Sequence, residues 1–165
     1  MSTPGQLILI RHAKSSWKDV RLADIDRPLN KRGKRDAPKM GQRLLARGIR
    51  PQVIATSPAV RAHTTAMIIA EQLEFDGTFV VDSELYGASP DEILSMIRKL
   101  DPEIHCAIFV GHNPGLTDLA NVWADEEIDN VPTCGIVVVQ LADWCVPTDG
   151  QLVDFDYPKR AFEGL

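Results

Sequence analysis

The sequence has few cysteines and no pattern that is typical of a metal site. Its 165 residues contain three, an odd number, and no two of them form a CxxC pair: Cys106, Cys134 and Cys145. The four histidines include no HxxxH or HExxH pair. These absences argue against a disulfide framework and against the common zinc motifs. We therefore expect reduced thiols, no metal and no cofactor.

The sequence also lacks long apolar runs. No stretch approaches the length that spans a bilayer, and the first residues, MSTPGQ, do not join a basic segment to an apolar one as a signal peptide does. We expect a cytoplasmic protein with no membrane association. The length, with 44% hydrophobic and 25% charged residues, is typical of one globular domain that buries a core without disulfides. We assign residues 1–165 to a single domain.

Negative charge is in excess overall but scarce in one segment. The net charge is −5, yet residues 11–50 carry thirteen Lys and Arg against four Asp, a local charge of +9. Such a segment is either a solvated helix face or a surface that attracts an anionic partner. Nucleic acid is disfavoured as that partner because the total charge is acidic and no basic run contains interleaved aromatic residues.

Short apolar runs alternate with longer amphipathic ones along the chain. Six runs predict strands, at residues 6–10, 53–56, 79–81, 106–110, 136–141 and 152–157. The first run, QLILI, is short, branched and apolar, as expected of a buried parallel strand. Strands that alternate with helices predict an α/β fold with a mostly parallel sheet and helices on both of its faces.

Local signals mark the starts of the predicted helices. Asn30 is a candidate cap for a helix over 30–47, and Ser57, followed by proline, predicts the start of the next helix. Pro38 conflicts with an unbroken first helix, so we expect a kink there or a short turn followed by another helix. Ser89 opens a sequence with capping-box spacing, which predicts a third helix.

Charged and polar residues follow four of the predicted strands. In the order of those strands they are Arg11 with His12, Arg61, Glu84 and His112. Because the carboxyl ends of parallel strands meet at one edge of a sheet, we expect these side chains to lie close together. A charged pair at the end of an apolar strand adds little stability, so the pattern indicates a functional site.

The residue types suit chemistry on a phosphoryl group. The guanidinium of Arg is always charged and pairs with phosphate oxygens two at a time. A neutral imidazole is a nucleophile towards phosphorus. A bound anion favours the protonated form of a second imidazole, which then donates a hydrogen bond to that anion. Phosphoryl transfer depends mainly on positioning and charge neutralisation, so few other groups are needed.

Three motifs establish a resemblance to a known family. They are LIRHAK at 9–14, SPxxRAxxTA at 57–66 and VGHNP at 110–114. In this order they resemble the histidine phosphatase superfamily, whose fold is phosphoglycerate mutase-like. Ala13 replaces the glycine of the commoner Arg-His-Gly signature. Together with four shorter motifs, this replacement resembles the SixA-type phosphohistidine phosphatase branch: KSSW at 14–17, DRPL at 26–29, RG at 32–33 and PTCG at 132–135.

The resemblance implies both a fold and a mechanism. The fold is a three-layer α/β/α sandwich with about six strands, mostly parallel with one antiparallel. The mechanism makes His12 the nucleophile that becomes phosphorylated and then hydrolysed. Three further residues surround the phosphoryl group: Arg11, Arg61 and His112. Neither a metal nor a cofactor takes part.

The proton donor stays open. Glu84 lies where many members of the family carry their acid, while Asp19 and Asp26 are rivals in the loop after the first strand. A further alternative is that no residue is a dedicated acid, as is thought for some SixA-type members. Trp17 and Tyr86 are candidates either for lining the pocket or for packing in the core or at the rim.

Three functions fit these observations. The first is hydrolysis of phosphohistidine on a protein, such as a histidine phosphotransfer-type protein, because a short chain leaves little room for a lid over a small metabolite. The second is hydrolysis of a small phosphomonoester at the same site. The third is an inactive phospho-binding module, which is disfavoured because all four core residues are present. Phosphoglycerate mutase activity fits least, since the insertions that enclose that substrate are missing. We expect a monomer.

Overall fold

A computed structural model describes residues 4–164, in which a six-stranded sheet lies between two pairs of helices. The strands are β1 (Gly5–Arg11), β2 (Val53–Thr56), β3 (Thr78–Val81), β4 (Cys106–Gly111), β5 (Ile136–Leu141) and β6 (Gly150–Asp156). The helices are α1 (Lys31–Ala46), α2 (Val60–Gln72), α3 (Pro90–Arg98) and α4 (Gly115–Trp123). Two short 3-10 helices, Asp24–Asp26 and Ser83–Leu85, lie in the loops after β1 and β3.

The sheet has one strand that runs against the others. Its order is β3-β2-β4-β1-β5-β6, and the first four of these strands pair in parallel. Strand β5 pairs antiparallel with both of its neighbours, β1 and β6. The predicted α/β sandwich with a mostly parallel sheet and one antiparallel strand is therefore confirmed.

The two helical layers follow from the alternation of side chains along β1. Ile8 and Ile10 point to one face and join a buried core with apolar residues of α1 and α2. Leu7 and Leu9 point to the other face and join a second core with α3 and α4. All four side chains are fully buried, which contributes about 1.5–3 kcal/mol each. A strand buried on both faces explains why this run is apolar without interruption.

Helix α1 continues through Pro38 as one element. The alternative of a turn followed by another helix is wrong, because a buried face with Ala37 before the proline and Met40 and Leu44 after it packs against the sheet. The side chain of Asn30 caps the helix as predicted, accepting a main-chain N–H at 2.9 Å. Gly48 lies just past the end with a φ of 75°, a conformation that glycine adopts readily.

The starts of the next two helices test the other capping predictions. The capping box of α3 is confirmed, since Ser89 and Glu92 exchange two hydrogen bonds of 3.2 Å. The predicted cap of α2 is wrong, because that helix begins at Val60 and its N-cap residue, Ala59, makes no side-chain hydrogen bond. Ser57 lies outside the helix, although its hydroxyl accepts the N–H of Ala59 at 3.2 Å, and the same hydroxyl is bonded in the site described below.

The cysteines, the possible metal ligands and the lengths of the helices bear on disulfides, metal sites and membrane spans. All three cysteines are free, and burial raises the pKa of Cys106 to about 11, so that thiol is unreactive. Across residues 4–164, no group of three or more His, Cys, Asp or Glu side chains is arranged to hold a metal ion. In the same stretch, every helix is too short or too polar to cross a bilayer.

Candidate active site

Arg11 ends β1 at the middle of the sheet, and His12 follows it. The N–H of Arg11 donates to Gly135 at 3.1 Å, and the N–H of His12 donates to Gly111 at 3.1 Å. The N–H of Cys134 donates to the carbonyls of Arg11 and His12, at 3.0 Å each. Neighbouring chain segments on both sides thus hold this main chain, which fixes the points from which the two side chains extend.

A main-chain neighbour determines the tautomer of His12. Its Nδ1 lies 2.7 Å from the carbonyl oxygen of Ala13. Because a carbonyl only accepts, Nδ1 carries the proton and Nε2 carries the lone pair. Burial lowers the pKa of His12 to about 3; the bond to Ala13 opposes this, while the charges of His112 and Arg61 add to it. His12 is therefore a neutral imidazole at pH 7, with a nitrogen free to act as a nucleophile.

His112 follows β4 and lies beside His12, as predicted. The centroids of the two rings are 5.2 Å apart and their planes are tilted by 51°. Nε2 of His112 lies 2.7 Å from the hydroxyl of Ser57, which also accepts the Ala59 N–H at 3.2 Å. Burial lowers the pKa of His112 to about 4, and the charge of Arg61 acts in the same direction. Within residues 4–164, its buried Nδ1 has no hydrogen-bond partner.

Arg61 lies in the first turn of α2 with its side chain 8% exposed. Its guanidinium is held by Asp24, in the short 3-10 helix after β1. Nη1 donates to the Asp24 carbonyl oxygen at 2.7 Å, and Nη2 donates to the Asp24 carboxylate at 2.9 Å. One side of the Arg61 guanidinium is thus bonded to Asp24, while its remaining N–H groups can bind another anion.

Asp24 also joins Arg61 to the other side of the site. Its carboxylate accepts from the Tyr86 hydroxyl at 2.5 Å and from Arg27 at 3.0 Å. The hydrogen bond from Tyr86, with further bonds from Arg61 and Arg27, holds the pKa of Asp24 well below its usual range. The Tyr86 ring meets the His112 ring edge-on, with centroids 5.5 Å apart. Asp24 is therefore ionised, and it links Arg61 through Tyr86 to the two histidines.

Arg11 supplies a second positive charge, and only part of its guanidinium is hydrogen-bonded to the protein. Its Nη1 donates to the carbonyl oxygen of Val131 at 3.0 Å, while its buried Nε has no partner among the described residues. Burial lowers the pKa of Arg11 from its ordinary value, although the guanidinium stays charged. Two guanidinium groups beside two neutral, partly unbonded imidazoles make a site that favours an anion.

None of the three acids predicted as proton donors is bonded to these site residues in the described part of the chain. Glu84 lies in the 3-10 helix after β3 with an exposed side chain, and no hydrogen bond or ion pair in residues 4–164 joins that side chain to the site. Asp19 is bonded to Arg21 at 3.0 Å. Asp26 is exposed and likewise makes no side-chain bond in the described part of the chain. The role of Glu84 stays a prediction.

Sequence reasoning missed Asp24 and the role of Ser57. Asp24 sits in a polar loop without periodicity, two residues before an acid that was considered. Its partner Arg61 is 37 residues away, so no local pattern links the two. Tyr86 was a candidate for lining the pocket, and its contacts with Asp24 and His112 place it there.

Comparison with known proteins defines the class. The model of the histidine phosphatase superfamily (branch 1) matches residues 7–86, which include the end of β1 and the start of α2. The chain belongs to this superfamily and to its SixA-type members. The family relationship supports phosphatase activity.

Individual relatives extend the similarity over nearly the whole chain. A crystal structure of a candidate phosphohistidine phosphatase SixA from Agrobacterium tumefaciens superposes with a TM-score of 0.84 at 28% identity, covering 95% of this chain and 100% of that one. An uncharacterised protein of Mycobacterium tuberculosis is 32% identical, over 91% of this chain and 100% of its own. An uncharacterised chloroplast protein of Arabidopsis thaliana is 33% identical, over 84% of this chain and 67% of its own.

Proposed function

We propose that this protein hydrolyses phosphohistidine on a protein substrate, through a covalent phosphoryl intermediate on His12. The observation that carries the proposal is the state of His12, whose buried neutral ring keeps its Nε2 lone pair free because Nδ1 is bonded to the Ala13 carbonyl. In the first step Nε2 attacks phosphorus while the bond from phosphorus to the substrate nitrogen breaks. In the second step water attacks, the bond to Nε2 breaks, and inorganic phosphate leaves.

Positive charge in the site supports both steps. Arg11 and the free N–H groups of Arg61 are available to the phosphoryl oxygens, and a phosphoryl group bound there favours the charged form of His112, which then donates to it. This charge is supplied by side chains, so we propose that the reaction needs no metal. Chelators are therefore expected to leave the activity unchanged.

The acids near the site favour cleavage of P–N over P–O bonds. An alkoxide is a poor leaving group and needs a proton in the transition state. The carboxylate bonded inside the site, Asp24, has a lowered pKa and is ionised, so it is a poor donor. A phosphohistidine ring takes its proton from solvent and leaves as neutral imidazole, whose conjugate acid has a pKa of about 6.5. Asp24 therefore suits a substrate that needs no acid from the protein, such as phosphohistidine.

A small phosphomonoester is the second candidate substrate, and Glu84 is the observation that favours it. Its exposed carboxyl group, just after β3, is free of partners in the described part of the chain, so it is available to a bound substrate as a proton donor. A monoesterase would depend on it, whereas a phosphohistidine phosphatase would not.

Turnover of the two substrate classes, with trapping of the intermediate, tests the proposal. We expect kcat/KM to be higher for a phosphohistidine protein than for any member of a phosphomonoester panel. Rapid quenching in alkali should trap an acid-labile phosphate on His12, and His12→Ala should abolish both turnover and label. Label on another residue, or full activity of the variant, would sink the assignment of the nucleophile. A clear preference for a phosphomonoester would favour the second candidate.

A further inference from the structure

A basic groove lies beside the candidate active site. It encloses about 800 Å³, and five of its lining residues are cations while none is an acid. The cations are Lys14, Lys18, Lys31, Arg32 and Lys34. The groove is formed by the loop after β1 and the first turn of α1, so it lies within the segment of local positive charge.

The charge of this groove is largely uncompensated. Arg32 lies 3.5 Å from the buried Asp36, but in residues 4–164 no carboxylate forms an ion pair with any of the four lysines. Like charges held together raise the energy of the folded protein unless an anion joins them. A protein with a net charge of −5 that keeps four unpaired lysines in one groove carries a surface complementary to an acidic partner.

The groove also offers an aromatic contact. Trp17 lines it with 71% of its surface exposed, and the guanidinium of Arg27 lies 3.2 Å from the centroid of its ring. Exposed tryptophan beside cations is typical of surfaces that bind protein segments.

Hydrogen bonds connect the groove to the catalytic residues. Arg27 donates to the Ser15 hydroxyl at 2.5 Å and to the Ser16 carbonyl at 3.2 Å, both in the groove wall. The same guanidinium donates to Asp24 at 3.0 Å, and Asp24 holds Arg61. The groove and the phosphoryl site are thus neighbouring parts of one surface, and a single polypeptide can occupy both.

We propose that this groove docks an acidic segment of the phosphorylated protein substrate while the phosphohistidine reaches His12. This inference rests on the proposed function and adds the chemistry that selects the partner. Attraction between the segment and the lysines increases the rate at which substrate is captured, by a factor of about 10 at low salt. Salt weakens this attraction, because the screening length is about 10 Å at 0.1 M.

The test compares two phosphohistidine peptides of equal length, one with several acidic residues flanking the phosphohistidine and one with neutral residues there. Free phosphohistidine is the third substrate. The variant Lys31→Glu/Lys34→Glu reverses two groove charges, and acidic residues in the first turn of α1 complement the helix dipole, so folding is preserved. The control variant Arg98→Glu/Lys99→Glu makes the same charge change at the end of α3, on the opposite face of the sheet.

We expect the groove variant to lower kcat/KM for the acidic peptide about tenfold at low salt, and to change the neutral peptide and free phosphohistidine less than about twofold. The loss should fade as salt rises, and the control variant should match the wild type. Equal losses on all three substrates, or equal losses in both variants, would overturn the docking proposal. The basic residues would then be interpreted as a solvated helix face.

Direct binding separates this proposal from the proposed function. If the wild type turns over none of the three substrates, the catalytic proposal fails by itself. A fluorescently labelled, unphosphorylated acidic peptide then still tests the groove by anisotropy. Salt-sensitive binding to the wild type and the control variant, but not to Lys31→Glu/Lys34→Glu, supports docking. Equal binding to all three proteins, or binding to none, overturns it.

Discussion

Acid should destabilise this protein through its two central histidines, and the effect has a calculable size. The pKa of His12 is about 3 and that of His112 about 4 in the folded protein, whereas an unfolded histidine titrates near 6.5. Because the folded values are lower, the unfolded chain binds more protons below pH 6.5. Stability is therefore complete above about pH 6.5 and is lost as the pH falls towards the folded values.

The expected loss follows from the linkage relation. At about pH 5 both rings are still neutral in the folded protein, while an unfolded histidine is almost fully charged. Relative to about pH 7.5, each histidine therefore lowers the free energy of unfolding by about 2 kcal/mol, and the two together lower it by about 4 kcal/mol. Since a typical domain has about 5–15 kcal/mol in total, this loss is easily measured.

Urea unfolding at the two pH values, followed by circular dichroism, measures the effect in wild type and variants. His12→Asn should reduce the acid-induced loss by about 2 kcal/mol, because asparagine does not titrate. The matched control is His105→Asn, which removes an exposed imidazole just before β4, at the opposite end of that strand from His112. The difference between the two variants then reports on the buried position of His12. If His12→Asn keeps the pH dependence of the wild type, His12 is charged in the folded protein at pH 5, and burial does not lower its pKa.

Three further predictions concern the site itself. Vanadate should inhibit, because its five-coordinate form resembles the transition state, while EDTA should have no effect; loss of activity that a divalent metal restores would contradict this. Glu84→Gln should lower kcat/KM for an alkyl phosphate about 10²–10⁴-fold and that for phosphohistidine far less; parallel losses would indicate a structural role. Asp24→Asn removes a carboxylate from beside Arg61, so inorganic phosphate should inhibit about fivefold more strongly. This corresponds to about 1 kcal/mol, the value of a half-exposed ion pair. Weaker inhibition would mean that Asp24 mainly positions Arg61.

The parts of the site that could be predicted are those fixed by strand ends. Arg11, His12 and His112 directly follow apolar strands, and the topology of a parallel sheet brings such positions together whatever the loops do. Arg61 was predictable for the same reason, since α2 starts directly after β2. The fold class followed from the alternation of apolar runs with amphipathic ones.

The parts that could not be predicted depend on contacts between loops. Asp24 reaches Arg61 and Tyr86 across 37 and 62 residues, and nothing in the sequence around it distinguishes it from Asp26. Ser57 has the sequence context of a helix cap, and its hydroxyl accepts the Ala59 N–H, but its contact with His112 spans 55 residues and no local pattern shows it. Pro38 left two alternatives open, and the break between two helices is wrong because packing against the sheet outweighs the loss of one main-chain hydrogen bond.

The bond that sets the tautomer of His12 belongs to the main chain, which has a consequence for substitutions nearby. Every amino acid at position 13 offers the same carbonyl, so the protonation of Nδ1 does not depend on which side chain stands there. The side chain at position 13 is instead limited in size, because the methyl group of Ala13 is completely buried. The N–H of Ala13 is bonded to Thr65 at 3.0 Å. In the proposed mechanism, backbone geometry thus determines which nitrogen of His12 reacts, and substitutions around it alter the efficiency of the reaction before they alter that nitrogen.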